Sequence, residues 1–252
     1  MSTAKQVEDI LEDETLRLRW LAGSGPRMVV SFTSIQHRHD DGSPRDEFLG
    51  AASMGGQNKV LFVSDLRWSW YSRAGLMDKI VDYVTRIRDM EEVTEVVTIG
   101  NSMGGYGAMI LPRFVPVTRV AAFVPQVSMH PDLVQEDRWP GVMKNHGTYP
   151  VKTAGDVVTE QGGTEFYVTF GRKQKKDQAQ AALLPEAANL TMNMLPRCGH
   201  DAAEKMKAAG VLNKAVAAKL TGDRKALKKA VQDYARYARE HFAPTWQTDE
   251  GS

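Results

Sequence analysis

The chain has 252 residues, 42% hydrophobic and 25% charged, with a formal net charge of +1. That length suits one α/β domain with a sizeable core, and the near-neutral charge excludes the long-range field on which nucleic-acid binding or adsorption to an acidic membrane depends. A single cysteine, Cys198, rules out an internal disulfide, residues 1–14 are polar and acidic rather than leader-like, and no apolar run reaches membrane-spanning length, so a cytoplasmic protein is expected.

Leu16, Leu18 and Trp20 alternate with Arg17 and Arg19, the period of a half-exposed strand. After a turn at Gly23-Ser24-Gly25-Pro26, Met28-Val29-Val30-Ser31-Phe32 reads as a strand buried on both faces. Residues 37–58 are polar and glycine-rich without a period, which predicts a long loop. His37, His39, Asp40 and Asp41 cluster there as a solvated loop, and no metal site is assigned to them. Val60-Leu61-Phe62-Val63 is the next buried strand, followed by a helix near 75–90 with Leu76, Ile80, Val84 and Ile87 on one face.

Val96, Val97 and Ile99 begin another buried strand, and Val120-Ala121-Ala122-Phe123-Val124 makes the next. Between 125 and 163, Pro, Gly, His and Trp recur without a period, which predicts an irregular excursion or small lid. Phe166-Tyr167-Val168-Thr169-Phe170 and Leu190-Thr191-Met192-Asn193-Met194-Leu195 are two further strands. The remainder reads as helices near 201–209, 211–220 and 224–242, whose Lys and Arg residues between 214 and 239 form a solvated face.

Strands alternating with helices predict an α/β fold, a mostly parallel sheet flanked by helices on both faces, with 1–252 as a single domain. Ligands on such sheets sit at the carboxyl ends of the strands. The loop after Phe32, Asp65, Ser102, Gly171 and the loop after Leu195 all follow strands and are expected to converge there.

The richest stretch is Val96-Val97-Thr98-Ile99-Gly100-Asn101-Ser102-Met103-Gly104-Gly105: a buried strand, then Gly-x-Ser-x-Gly, then a helix that stops at Pro112. Such a turn presents one serine at its apex, and the helix start aims free N–H groups and the positive end of its dipole at the hydroxyl. A serine nucleophile attacking an acyl carbon needs this setting. A glycine-rich turn carrying an ordinary hydroxyl is the other reading.

Together with an acid and a histidine that follow later strands, this pattern resembles the α/β-hydrolase superfamily over about 15–209. The resemblance implies the order Ser, acid, His, which Ser102, Asp177 and His200 satisfy. His200, in Arg197-Cys198-Gly199-His200-Asp201, would act as general base and then general acid. Asp177, in the loop after the 166–170 strand, would orient the imidazole, with Glu186 and Asp201 as the alternative acids. The backbone N–H of Met103 is the implied first oxyanion donor. Thr33, with Phe32 next, is the expected second, although Ser31-Phe32-Thr33-Ser34 stands where the superfamily often has His-Gly or a glycine run.

Trp68, Trp70 and Tyr71, beside Arg67 and Arg73, are placed either to line a substrate pocket or to pack a loop on a helix. Gly100-Asn101-Ser102-Met103-Gly104-Gly105-Tyr106-Gly107, and Phe123-Val124-Pro125-Gln126-Val127-Ser128-Met129-His130-Pro131 with Asp137-Arg138-Trp139, look similar to a branch of hydrolase-fold proteins associated with bacterial surface-polysaccharide and glycosyltransferase systems. The resemblance implies a serine hydrolase that cleaves an ester or thioester of a small acyl substrate, carbohydrate-linked if the branch applies, without metal or organic cofactor. Two alternatives stand beside it: acyl transfer to a sugar or other hydroxyl by the same residues, and a non-catalytic binding or assembly protein that keeps the fold. No membrane or nucleic-acid partner is expected, and oligomeric state is open.

Overall fold

The structure is a computed structural model that describes residues 6–35, 39–40, 42–141 and 149–243. His37 and Asp41 of the polar loop, and 142–148 of the excursion, lie outside the described residues. Eight strands form one open sheet: β1 (Glu8–Glu12), β2 (Leu16–Leu21), β3 (Arg27–Phe32), β4 (Lys59–Asp65), β5 (Glu95–Asn101), β6 (Arg119–Phe123), β7 (Glu165–Gly171) and β8 (Leu190–Leu195). Their spatial order is β1-β2-β4-β3-β5-β6-β7-β8; β2 is antiparallel to both its neighbours and the other pairs are parallel.

Successive residues of β4, β5 and β7 are buried, so both faces of the central sheet are covered, as their apolar runs require. The helices are α1 (Leu49–Ser53), α2 (Leu76–Met90), α3 (Met103–Ile110), α4 (Ala154–Glu160), α5 (Lys175–Ala181), α6 (Ala202–Ala208), α7 (Leu212–Thr221) and α8 (Arg224–His241). Helix α3 is buried along its whole length and packs on β3, β5 and β6. From β3 the chain goes to β4 on one side and returns through β5 on the other. That reversal opens a crevice beyond the carboxyl ends of β3 and β5, and Ser102 follows the last residue of β5 directly.

Three features depart from the sequence expectations. The acidic 8–12 segment is a strand, because Arg17 and Arg19 on β2 pair with Asp9 across the edge and neutralise it. The loop expected at 37–58 contains α1, and the excursion contains α4. Lys219 of α7 is fully buried rather than solvated. Its ammonium donates to Thr169 Oγ1 at 2.7 Å and to the carbonyls of Tyr167 and Ala122 at 3.2 and 3.4 Å, and lies 3.8 Å from the centroid of the Phe123 ring. These partners give the buried nitrogen hydrogen-bond acceptors and a ring face.

Helix α8 secures the loop after β8. Arg197 donates to the carbonyls of Ala238, Arg239 and Phe242 at 2.7–3.1 Å, setting a positive charge at the carbonyl end of α8. Tyr234 donates its hydroxyl to the Pro196 carbonyl at 3.1 Å. From this anchor the chain runs through Cys198 and Gly199 to His200.

Candidate active site

Ser102 has φ 55° and ψ −120°, a conformation that costs a non-glycine residue roughly 1–3 kcal/mol and persists only where its surroundings enforce it. The flanking glycines permit it. A Cβ on Gly100 would lie 2.1 Å from the Gly104 carbonyl oxygen, and one on Gly104 would lie 2.2 Å from that of Phe32. The tight turn thus seats α3 against β3 and leaves the serine at the apex. Other non-glycine residues with positive φ also follow strand ends: Trp68, Trp70 and Tyr71 after β4, Val124 after β6 and Arg197 after β8.

His200 Nε2 lies 2.8 Å from Ser102 Oγ, and His200 Nδ1 lies 2.9 and 3.1 Å from the two carboxylate oxygens of Asp177. Asp177 is fully buried. It belongs to the first turn of α5 rather than to a loop, which fixes its direction more firmly than a loop would. Gly171 brings the two segments together, since a Cβ there would meet the carbonyl oxygens of Gly199 and Cys198 at 2.3 and 2.4 Å. The hydroxyl, imidazole and carboxylate form one continuous hydrogen-bonded series, which can remove a proton from a serine and hold the resulting imidazolium.

No protein-family model matches the chain, and no curated protein matches it either. Solved structures do. MPT51 (FbpC1) of Mycobacterium tuberculosis superposes with a TM-score of 0.58 at 12% identity, covering 86% of this chain and 100% of that one. The S-formylglutathione hydrolase of Agrobacterium tumefaciens gives 0.55 at 14% identity, covering 89% and 94%. The capsule O-acetyltransferase of Neisseria meningitidis serogroup A gives 0.54 at 13% identity, covering 91% and 92%. The chain has an α/β-hydrolase fold.

Within this hydrolase fold the expected second oxyanion donor is not available. The Thr33 N–H donates to the Val63 carbonyl at 3.0 Å, and the next amide, Ser34, donates to Glu47 Oε1 at 2.8 Å. Phe32 is inside the ladder between β4 and β5. The Thr33 assignment is therefore corrected: β3 continues one residue further in its bonding than its sequence suggests. Met103 opens α3, and its N–H, as a first-turn amide, has no acceptor within the helix.

In the aromatic segment after β4, Trp70 and Tyr71 pack as a support. Both are fully buried and spend their polar groups inside the protein, on the Gln126 oxygen and the Thr33 carbonyl, and Trp68 is half-buried against the core. Asp65 organises the turn by accepting the N–H groups of Arg67, Ser69 and Tyr71 at 2.7–3.1 Å and the Ser69 hydroxyl at 2.8 Å. Burial raises its carboxyl above the usual range although these bonds pull it down. The alternative acids lie elsewhere in their bonding: Glu186 is exposed, and Asp201 accepts the Gly199 N–H at 2.9 Å.

Two groups in the site come from the excursion and carry no strong sequence signal. Arg138 donates to Asp177 Oδ1 at 2.7 Å, sits 3.2 Å from His200 Nδ1, and forks onto Glu136 at 2.6 and 2.8 Å. Burial disfavours its charge, but the bonds to Glu136 and Asp177 outweigh that and hold the guanidinium protonated. Gln126, fully buried, places Nε2 3.1 Å from Ser102 Oγ and accepts the Trp70 indole N–H on Oε1 at 3.1 Å. Trp139 sits between Trp70 and His200, with ring centroids 5.7 and 5.9 Å away.

A cavity of about 510 Å³ is lined by Phe48, Leu49, Asn101, Glu204 and Lys207, among others, and a second of about 330 Å³ by Arg138, Trp139, Gln174, His200, Asp201 and Glu204. Glu204 borders both. Among the described residues no cluster of His, Cys, Asp or Glu could hold a metal ion, and no helix is long and apolar enough to cross a membrane.

Proposed function

We propose that the chain is a serine hydrolase that cleaves a carboxylic ester or thioester through an acyl-enzyme on Ser102. His200 Nε2 takes the Ser102 proton as Oγ attacks the acyl carbon. The developing oxyanion is held by the N–H groups at the start of α3, with Met103 foremost, aided by the positive end of that helix. His200 then returns the proton to the departing alcohol or thiol. Water, deprotonated by the same imidazole, attacks the acyl-enzyme, and collapse of the second tetrahedral intermediate restores Ser102 and frees the acid. Asp177 keeps Nδ1 protonated and directed at itself, so that Nε2 faces the serine.

The observation that carries this reading is the unbroken series Ser102 Oγ, His200, Asp177 at 2.8 and 2.9 Å, ending on a serine held at φ 55°. The cavity of about 330 Å³ that His200 helps to line is the nearest space for a substrate beside the imidazole. The test is pre-steady-state hydrolysis of p-nitrophenyl acetate. A burst of about one equivalent of nitrophenol is expected, with the acetyl group recovered on the peptide containing Ser102. Hydrolysis that survives undiminished in Ser102→Ala would remove the basis for this reading.

A further inference from the structure

We infer that Gln126 is a catalytic residue whose side-chain amide serves as the second oxyanion donor, and that Trp70 is the positioning residue that fixes the orientation of that amide. The inference rests on the proposed acyl chemistry at Ser102 and adds to it a group that the backbone does not supply.

An oxyanion site of this kind needs two donors aimed at one point. Met103 provides one from the start of α3. In the loop after β3, which faces the same crevice, the first two amides are taken: the Thr33 N–H is held by Val63 and the Ser34 N–H by Glu47. The donor that does reach the serine oxygen is Gln126 Nε2, at 3.1 Å, from the segment directly after β6. That segment is held in a costly conformation, since Val124 has φ 39°, which a β-branched residue rarely adopts. Strain of this kind persists where the surroundings impose it.

The direction of the amide is set chemically. An indole N–H can only donate, so the atom that Trp70 Nε1 meets at 3.1 Å must be the Gln126 oxygen. The NH₂ group is then the end nearer Ser102 Oγ, at 3.1 Å against 3.4 Å for the Gln126 oxygen. A glutamine in the opposite orientation would set its oxygen toward the serine and repel an oxyanion. Gln126 and Trp70 are fully buried, so in the resting protein the amide has no solvent partner to turn toward.

This arrangement has two consequences for the reaction. In the resting site, Ser102 Oγ accepts a hydrogen bond from Gln126, and its single proton is directed to His200 Nε2 at 2.8 Å. When Oγ passes its proton to His200 and bonds to the acyl carbon, it becomes an ester-type oxygen and a weaker hydrogen-bond acceptor. The negative charge moves to the neighbouring carbonyl oxygen, and the Gln126 NH₂ follows it by a small rotation. The donor thus bonds more strongly to the transition state than to the ground state, as rate acceleration requires. No new bond to Gln126 forms, and no proton leaves it.

The experiment measures the second-order rate of Ser102 modification by a fluorophosphonate, together with kcat and KM for p-nitrophenyl acetate. It compares wild type with Gln126→Met, Gln126→Glu and Trp70→Phe, each checked for folding by circular dichroism. Gln126→Met should lose about 10²–10³-fold in kcat and in the fluorophosphonate rate with KM nearly unchanged. Gln126→Glu keeps the shape and the acceptor for Trp70 and lacks a donor once its buried carboxyl ionises, so its rate should fall as pH is raised through that ionisation, and this pH-dependent loss, absent from wild type, carries the test if the methionine variant does not fold. Trp70→Phe should lower kcat by a smaller factor and again leave KM nearly unchanged. Folded Gln126 variants that react at the wild-type rate overturn the inference while leaving Ser102 as the nucleophile. A wild type that never reacts overturns the hydrolase reading and this inference with it.

Discussion

Replacing Gly171 by alanine tests how closely the site depends on backbone contact rather than on the reacting side chains. The new methyl carbon would lie 2.3 Å from the Gly199 carbonyl oxygen and 2.4 Å from that of Cys198, where ordinary contact begins at 3.4 Å. Both obstacles are backbone, so neither can swing aside, and the 198–199 segment must withdraw by about 1 Å. His200 is the next residue. Its bonds to Ser102 and Asp177, now 2.8 and 2.9 Å, would stretch beyond hydrogen-bonding range. A 1 Å misplacement of this kind costs about 10²-fold in rate. Overpacking costs about 1–3 kcal/mol, or roughly 2–12 °C in Tm for a chain of this size. Gly171→Ala is therefore expected to stay folded and lose about two orders of magnitude in kcat/KM for p-nitrophenyl acetate. Gly162→Ala, where nothing lies within 4 Å of the added carbon, should match wild type in both assays. Full activity in folded Gly171→Ala would refute the idea that β7 and the 198–200 segment hold each other in register.

Three further outcomes are expected. Arg138→Gln leaves Glu136 and Asp177, each with a side chain 1% exposed, without their shared cation; loss of about 3–5 kcal/mol is expected by urea unfolding, and a loss under 1 kcal/mol would contradict the burial argument. Burial holds Lys219 well below the proton affinity of a free lysine, so the unfolded chain binds more protons over the interval up to about pH 10.4 and stability rises with pH there. The unfolding free energy of wild type minus that of Lys219→Met should thus increase between pH 7 and 10, by at most about 1.4 kcal/mol per unit, and a flat difference would show that the ammonium is not desolvated. Burial also pushes the Cys198 thiol up to about 11, so about one molecule in a thousand is thiolate at pH 8. Native protein should resist iodoacetamide there, whereas the unfolded chain gains one adduct; rapid alkylation of the native form would count against this placement of Cys198.

The sheet was legible because its central strands are continuous apolar runs such as Val60-Leu61-Phe62-Val63, whose burial on both faces leaves little ambiguity. β1 was not, since Asp9 gains its place only from Arg17 and Arg19 on another strand. At the site, Ser102 and His200 stand beside local signals: a glycine-flanked turn and a strand that ends before a helix. Gln126 and Arg138 have none. Their roles come from contacts 24 and 39 residues away, with Ser102 and Asp177, and no local period records such pairings. The Thr33 expectation failed for a similar reason, because its amide is claimed by Val63 across the sheet. Trp70 and Tyr71 were ambiguous in sequence because an aromatic cluster serves a pocket wall and a packed support equally well, and only burial separates the two.

The most direct measurement is the intact mass of the protein after incubation with a fluorophosphonate, for wild type and for Ser102→Ala. One adduct on wild type, absent from the variant, is expected of an activated serine. Folded wild-type protein that gains no adduct, or a variant that still gains one, would contradict the assignment of Ser102 as the nucleophile.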